Sequence, residues 1–216
     1  MQINIPLNIL IRHLPTYDDQ RDLLSSYNVD SPILPVESER IQKISNTLDS
    51  ISEITDRGIV FYVSPVNRAT ETAIMINDKL KNSYNIVQDK RLYNINQGSI
   101  SGMTQNEFKK EPLWRIWHDR PHHTTFPNGE SLIDVYHKIQ SIVSEFSRQP
   151  NINVYISHTT PLQVLATIFM NIDVSQIWNF YFEHYAMTIF FNQVLLYSNV
   201  EFSSLSGLRK LVKDYA

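Results

Sequence analysis

Three short stretches of this sequence place chemistry-bearing side chains directly behind apolar runs. Arg12 and His13 follow Ile9-Leu10-Ile11, Ser64-Pro65 and then Arg68 follow Ile59–Val63, and Ser157-His158 follow Val154-Tyr155-Ile156. Brought together, Arg12, His13, Arg68 and His158 would form a cationic pocket. Guanidinium groups offer planar forks of donors that match phosphate oxygens, and a helix beginning near Arg68 would add oriented N–H groups. A neutral imidazole, whose ordinary pKa is about 6.5, carries a ring lone pair that can attack phosphorus. The pattern points to phosphoryl chemistry. Each residue alone has a plainer explanation, since a histidine at a strand end usually has a structural role and a lone arginine usually makes a surface ion pair. The coincidence of three such strand ends is the signal.

Those ends can meet only if the runs are neighbouring strands. Residues 5–11, 59–63, 86–92 and 154–156 read as strands, and helical spacing of apolar residues marks residues 41–54, 67–81 and 132–146. Glu37 and Glu39 suit the start of the first of these helices, Thr104 with Glu107 has the form of a capping box, and Pro161 opens a further helix. Residues 187–191 and 194–197 form a late hairpin or two edge strands around Asn192-Gln193, and residues 208–215 a short terminal helix. Strands alternating with helices predict an α/β protein, a three-layer α/β/α sandwich with a mostly parallel central sheet, because parallel neighbours need crossover connections. In such sheets ligands bind outside the carboxyl ends of the strands.

Length and composition narrow the classes. The 216 residues fit a single domain, 1–216, with 42% hydrophobic and 19% charged residues and a net charge of −3. No basic block tracks a nucleic acid, no acidic tail is present, and no apolar run reaches the roughly 20 residues needed to span a bilayer. The first residues lack the pattern of a signal peptide. The absence of cysteine excludes disulfides, a thiolate nucleophile and cysteine-held metal, which suits the cytoplasm.

The quoted motifs resemble those of the histidine phosphatase superfamily, also called phosphoglycerate mutase-like. "LIRHLPT" is similar to its Arg-His-Gly-x-Thr signature, "VSPVNRATETA" to its Ser-Pro-x-x-Arg-Ala-x-x-Thr-Ala, "VYISHTT" to its second-histidine segment, and "FPNGESLIDVYHKI" to its Gly-Glu-Ser helix start. The likeness runs from about residue 9 to residue 189 and favours the broad-specificity phosphatase branch. It implies a phosphoglycerate mutase-like sandwich and phosphoryl transfer without metal or other cofactor. In that scheme His13 becomes a phosphohistidine, Arg12, Arg68 and protonated His158 hold the phosphate oxygens, Thr16 adds a phosphate-loop contact, and Ser64 supports the loop. The implied partner is a small phosphorylated metabolite, with neither nucleic acid nor membrane involved, and a homodimer is compatible with it.

The pattern is broken where the family places its general acid. Asn94 stands where Glu is usual, and Gly98 to Gly102 replaces a Gly-x-Trp-Glu-Gly segment, so two familiar carboxylates are missing. An amide cannot supply the proton that a leaving oxygen needs, a role worth about 10²- to 10⁴-fold. Glu130 is the first choice of replacement by sequence position, ahead of His122, His123, Asp18, Asp19 and His184. Its plainer role is a carboxylate at a helix start. A substrate with a good leaving group would need no such help. Leu14, where the signature has glycine, is expected to reshape the phosphate loop or wall the pocket, and Pro15 to stiffen it. Residues 114–121, with Trp114 and Trp117, are expected over the site. The readings in contention are a phosphatase, a phosphoglycerate mutase, and a phosphate-binding or regulatory protein with weak turnover.

Overall fold

A computed structural model describes residues 6–146 and 151–201 of the chain. The strands are β1 (Leu7–Arg12), β2 (Ile59–Val63), β3 (Asn85–Gln88), β4 (Ile152–Ser157), β5 (Met187–Phe191) and β6 (Val194–Val200). The helices are α1 (Tyr17–Gln20), α2 (Ser38–Thr55), α3 (Asn67–Asn77), α4 (Gln105–Phe108), α5 (Pro112–Asp119), α6 (Leu132–Phe146) and α7 (Thr159–Phe169).

One six-stranded sheet runs in the order β3-β2-β4-β1-β5-β6. The first four strands are parallel, and β5 and β6 add an antiparallel edge. Every residue of β4, and all of β1 except Arg12, is buried, as expected of central parallel strands covered on both faces. Alternation along β1 divides the interior. Leu7, Ile9 and Ile11 pack with Ile41, Ile44, Leu48 and Ile51 of α2 and Ala69, Ala73 and Ile76 of α3. Leu10 faces the opposite layer, with Val135 and Ile139 of α6 and Leu162 and Leu165 of α7. The sandwich is therefore α2 and α3, then the sheet, then α6 and α7.

Register carries the positional consequence. Arg12 lies beside Ser157, and Val63 beside Ile156. Backbone hydrogen bonds extend each pairing one step beyond the strands, His13 N–H to Ser157 O at 2.9 Å and Ser64 N–H to Ile156 O at 3.0 Å. All three polar endings thus reach one edge of the sheet.

Several expected elements differ in extent. The described part of the first strand begins at Leu7. The third strand ends at Gln88, and Lys90–Leu92 is a 3₁₀ turn capped by Asp89, whose carboxylate accepts from Arg91 N–H. A single turn satisfies those N–H groups locally and takes them out of the sheet. The helix after Ser64-Pro65 stops at Asn77, where Asn77 accepts from Tyr84 N–H through its side chain and so turns the chain toward β3. The Thr104–Glu107 box forms in both directions, the late strands do form a hairpin, and residues 208–215 lie outside the described residues.

Candidate active site

A cavity of about 810 Å³ opens at the carboxyl edge of the sheet. Arg12, His13, Arg68 and His158 all line it. His13 is 5%, Arg68 2% and His158 1% exposed, so each is held in place rather than free in solvent. The His13 ring lies 5.1 Å from His158 and 5.5 Å from His184, centroid to centroid.

His13 Nδ1 sits 2.7 Å from Leu14 O. A carbonyl oxygen only accepts, so Nδ1 carries the proton and Nε2 keeps the lone pair. Burial, reinforced by Arg12 and Arg68, holds the His13 pKa well below its usual value, which keeps the ring neutral. A neutral imidazole with a fixed tautomer is the form a nucleophile requires.

His158 caps α7 and shares a 2.9 Å hydrogen bond between its Nε2 and Ser64 Oγ. Its Nδ1 is buried and has no protein partner among the described residues. Burial, then the charge of Arg68, pushes its pKa down as well. The protonated His158 expected from the sequence is therefore not the form of the phosphate-free site. An arriving anion would favour the charged ring again.

Both guanidiniums already face carboxylates. Arg12 Nη2 donates to Asp19 Oδ1 at 2.6 Å, and Arg68 Nη1 donates to Val29 O at 2.9 Å with Asp30 Oδ1 at 3.6 Å. Thr16 lines the cavity but caps α1: its hydroxyl donates to Asp19 Oδ2 at 2.6 Å and accepts from Asp19 N–H. His184 Nδ1 donates to His13 O at 2.6 Å, and its Nε2 lies 3.6 Å from Asp19 Oδ1. Burial alone would raise the Asp19 carboxyl. Contacts with His184, Arg12 and Thr16 outweigh it and hold the group well below the usual carboxylate range.

Other expected residues fall elsewhere. Asn94 does line the cavity, with its amide donating to Ser25 O at 2.8 Å. Glu130 does not line it. Its carboxylate accepts from Asn96 N–H at 3.0 Å and pairs with Lys138 at 2.7 Å, clipping the 96–98 segment to the 127–130 turn. The clip is tight: Gly98 has φ +53°, and a Cβ there would lie 2.0 Å from Pro127 O. Glu130 is fixed in a structural role, and the acid assignment does not follow it there. Leu14 is corrected too. It is 1% exposed and packs in the α2–α3 layer, with its N–H donating to Thr72 Oγ1 at 2.9 Å, so it is no cavity wall. His122, His123 and Asp18 are also absent from the lining, and Ser64, expected to support the loop, shares its hydroxyl with His158.

The outer wall is aromatic. Trp114 and Trp117 of α5 face it with Trp178 and Tyr181, and Gln97 and Gln163 add amides. Trp178, Tyr181, Gln97, Gln163 and the Val29–Asp30 contact went unnoticed in the sequence, because each sits in a loop or helix with no local motif. Among the described residues, no group of three or more His, Asp and Glu side chains could hold a metal ion, and no helix is long and apolar enough to cross a membrane.

Comparison with known proteins agrees with this geometry. The description "histidine phosphatase superfamily (branch 1)" matches residues 9–192. Phosphoserine phosphatase 1 of Hydrogenobacter thermophilus is 30% identical over 125 residues, 56% of this chain and 58% of that protein. A 2,3-bisphosphoglycerate-dependent phosphoglycerate mutase of Thermoplasma acidophilum is 27% identical over 60% of this chain and 61% of its own length. The chain thus spans about three-fifths of those two relatives. Among solved structures, Bacillus stearothermophilus YhfR superposes with a TM-score of 0.70 at 22% identity, over 91% of this chain and 98% of the other, which shows the shared fold.

Proposed function

The chain belongs to the histidine phosphatase superfamily, and from that membership we propose that it hydrolyses a small phosphomonoester through a phosphohistidine at His13. One observation carries the reading: a buried, neutral imidazole with its Nδ1 proton committed to Leu14 O and its Nε2 pair free, flanked by Arg12, Arg68 and His158.

In the first step Nε2 attacks phosphorus and the bond to the leaving oxygen breaks. The two guanidiniums and the N–H groups at the start of α7 stabilise charge on the phosphoryl oxygens. In the second step water attacks phosphorus, the P–N bond breaks and its electron pair returns to Nε2. Arg12 and Arg68 must exchange Asp19 and the Val29–Asp30 loop for phosphate, so substrate binding rearranges contacts already made. The aromatic outer wall suits an organic moiety larger than phosphate alone. A relative named as a phosphoserine phosphatase supports a metabolite-sized substrate. The cytoplasm is assigned on composition alone.

The test is to trap phosphoenzyme from p-nitrophenyl phosphate and to compare His13→Ala. Turnover should fall on the order of 10⁴- to 10⁶-fold, as for other lost nucleophiles, and the acid-labile phosphoenzyme should vanish. Equal activity in the variant would sink the reading. Phosphate or vanadate binding with no phosphoenzyme would instead mark a binding protein. Isomerisation of a phosphoglycerate without phosphate release would mark a mutase.

A further inference from the structure

Loss of the usual acid at position 94 leaves the departing oxygen without an obvious proton. Among the described residues, the carboxylates that line the cavity are Asp19 and Asp22. Asp22 is exposed, whereas Asp19 is fixed against the catalytic strand end. We propose that Asp19 is the acid that protonates the leaving oxygen, and that it gains its proton when the substrate's phosphate displaces it from Arg12. The assignment rests on the phosphatase reading above.

Geometry supports it first. Asp19 Oδ2 accepts from Thr16 N–H at 2.9 Å and from Thr16 Oγ at 2.6 Å, which locks the carboxyl on the loop that follows the nucleophile. Oδ1 accepts from Arg12 Nη2 at 2.6 Å, and His184 Nε2 lies 3.6 Å from it. When Arg12 turns to phosphate, Oδ1 loses its hydrogen bond. Of the other ionisable groups lining the cavity, Lys109 and His118 are exposed, His118 Nδ1 lies against Asp119, and His158 Nδ1 has no partner among the described residues, while several ring and guanidinium atoms are engaged. His13 Nδ1 is bound to Leu14 O, His158 Nε2 to Ser64, His184 Nδ1 to His13 O, and Arg68 to Val29 and Asp30.

Charge supplies the proton. The guanidiniums of Arg12 and Arg68 are matched by the carboxylates of Asp19 and Asp30, so an arriving phosphate monoanion meets no net positive charge from them. A second anion drawn up beside the Asp19 carboxylate disfavours its charged form. A phosphomonoester, with a second pKa of about 6, brings a suitable proton in its monoanion. Transfer leaves neutral Asp19 and a bound dianion. His13 Nε2 then bonds to phosphorus, the P–O bond breaks, and the Asp19 proton goes to the leaving oxygen to give the alcohol. In the second step Asp19 carboxylate takes a proton from the attacking water, which restores the neutral acid as phosphate forms.

The experiment compares an alkyl phosphate, such as glycerol phosphate, with p-nitrophenyl phosphate, whose leaving group needs little protonation. Asp19→Asn should lose about 10²- to 10⁴-fold in kcat on the alkyl ester and less than about tenfold on the aryl ester, with phosphohistidine still trapped from the latter. Asp19→Glu should recover part of the alkyl activity. Equal losses on both esters would mean that Asp19 only orients Arg12, and no loss on the alkyl ester would mean that the proton comes from elsewhere; either overturns the proposal. If Asp19→Asn does not fold, the unaltered enzyme decides, because kcat/KM should depend only weakly on leaving-group pKa and a steep dependence overturns the assignment. Failure of the unaltered enzyme to form phosphohistidine from the aryl ester would count against the phosphatase reading instead.

Discussion

The two ends of the cavity are built by different means. At the phosphate end, His13 and His158 directly follow β1 and β4, and Arg68 stands in the first turn of α3 behind β2. Elsewhere on its lining, Asn94, Gln97, Trp114, Trp178 and Tyr181 come from loops and short helices spread over almost ninety positions. The first end is set by sheet register, where a one-residue slip of any strand would turn that strand's side chains to the other face. The second is set by loop packing, which tolerates change. Asn94 stands on the loop-built side, whereas Asp19 is anchored on the register-fixed side through Thr16 and Arg12.

Substitutions can break this contrast, the largest effect coming first. Arg68→Ala should lower kcat about 10²- to 10³-fold on every phosphate ester regardless of the leaving group, as measured by steady-state kinetics. A loss confined to one ester would place Arg68 at the other end. Next comes pH. Below about pH 6.5 the unfolded chain binds protons that buried, neutral His13 and His158 refuse, so stability falls as pH drops, and above it neither state gains. The two histidines together should cost about 2 kcal/mol between pH 6.5 and 5.5, read from denaturant midpoints. His13→Ala should remove part of that slope.

At the outer end the effects are smaller and fall on binding. Trp114→Ala should raise KM for a bulky ester about tenfold with kcat nearly unchanged, and leave KM for the smallest esters alone. The least catalytic effect belongs to Glu130→Ala. It removes a hydrogen bond and an ion pair from the clip on Asn96, so it should cost about 1 to 2 kcal/mol of stability while kcat stays at its original value. A large kcat loss confined to alkyl esters would return the acid role to Glu130.

Particular residues show how far the sequence could be read. Arg12, His13, Arg68 and His158 were legible because each stands at a fixed offset from an apolar run, and parallel pairing turns offset into position. The late hairpin and the Thr104–Glu107 box were legible for the same local reason, since adjacent residues satisfy one another. Leu14 was misplaced because the signature gives its neighbour's role but not the face to which its own side chain turns; Thr72, 58 residues away, decides that through its bond to Leu14 N–H. Glu130 was misplaced because its position in the motif says nothing about Lys138 or Asn96, which hold it.

The sequence by itself determined the family, the sandwich and the meeting of Arg12, His13, Arg68 and His158 at one sheet edge, since these depend on periodicity and on short motifs whose geometry is local. Only the tertiary structure decided which carboxylate enters the cavity. That choice depends on where loops distant in sequence cross, and on how His184 approaches Asp19 beside Arg12 and Thr16, its near neighbours in sequence. The Thr16-x-x-Asp19 spacing has the form of a capping box, but nothing in the spacing shows that His184, far along the chain, approaches the same carboxylate.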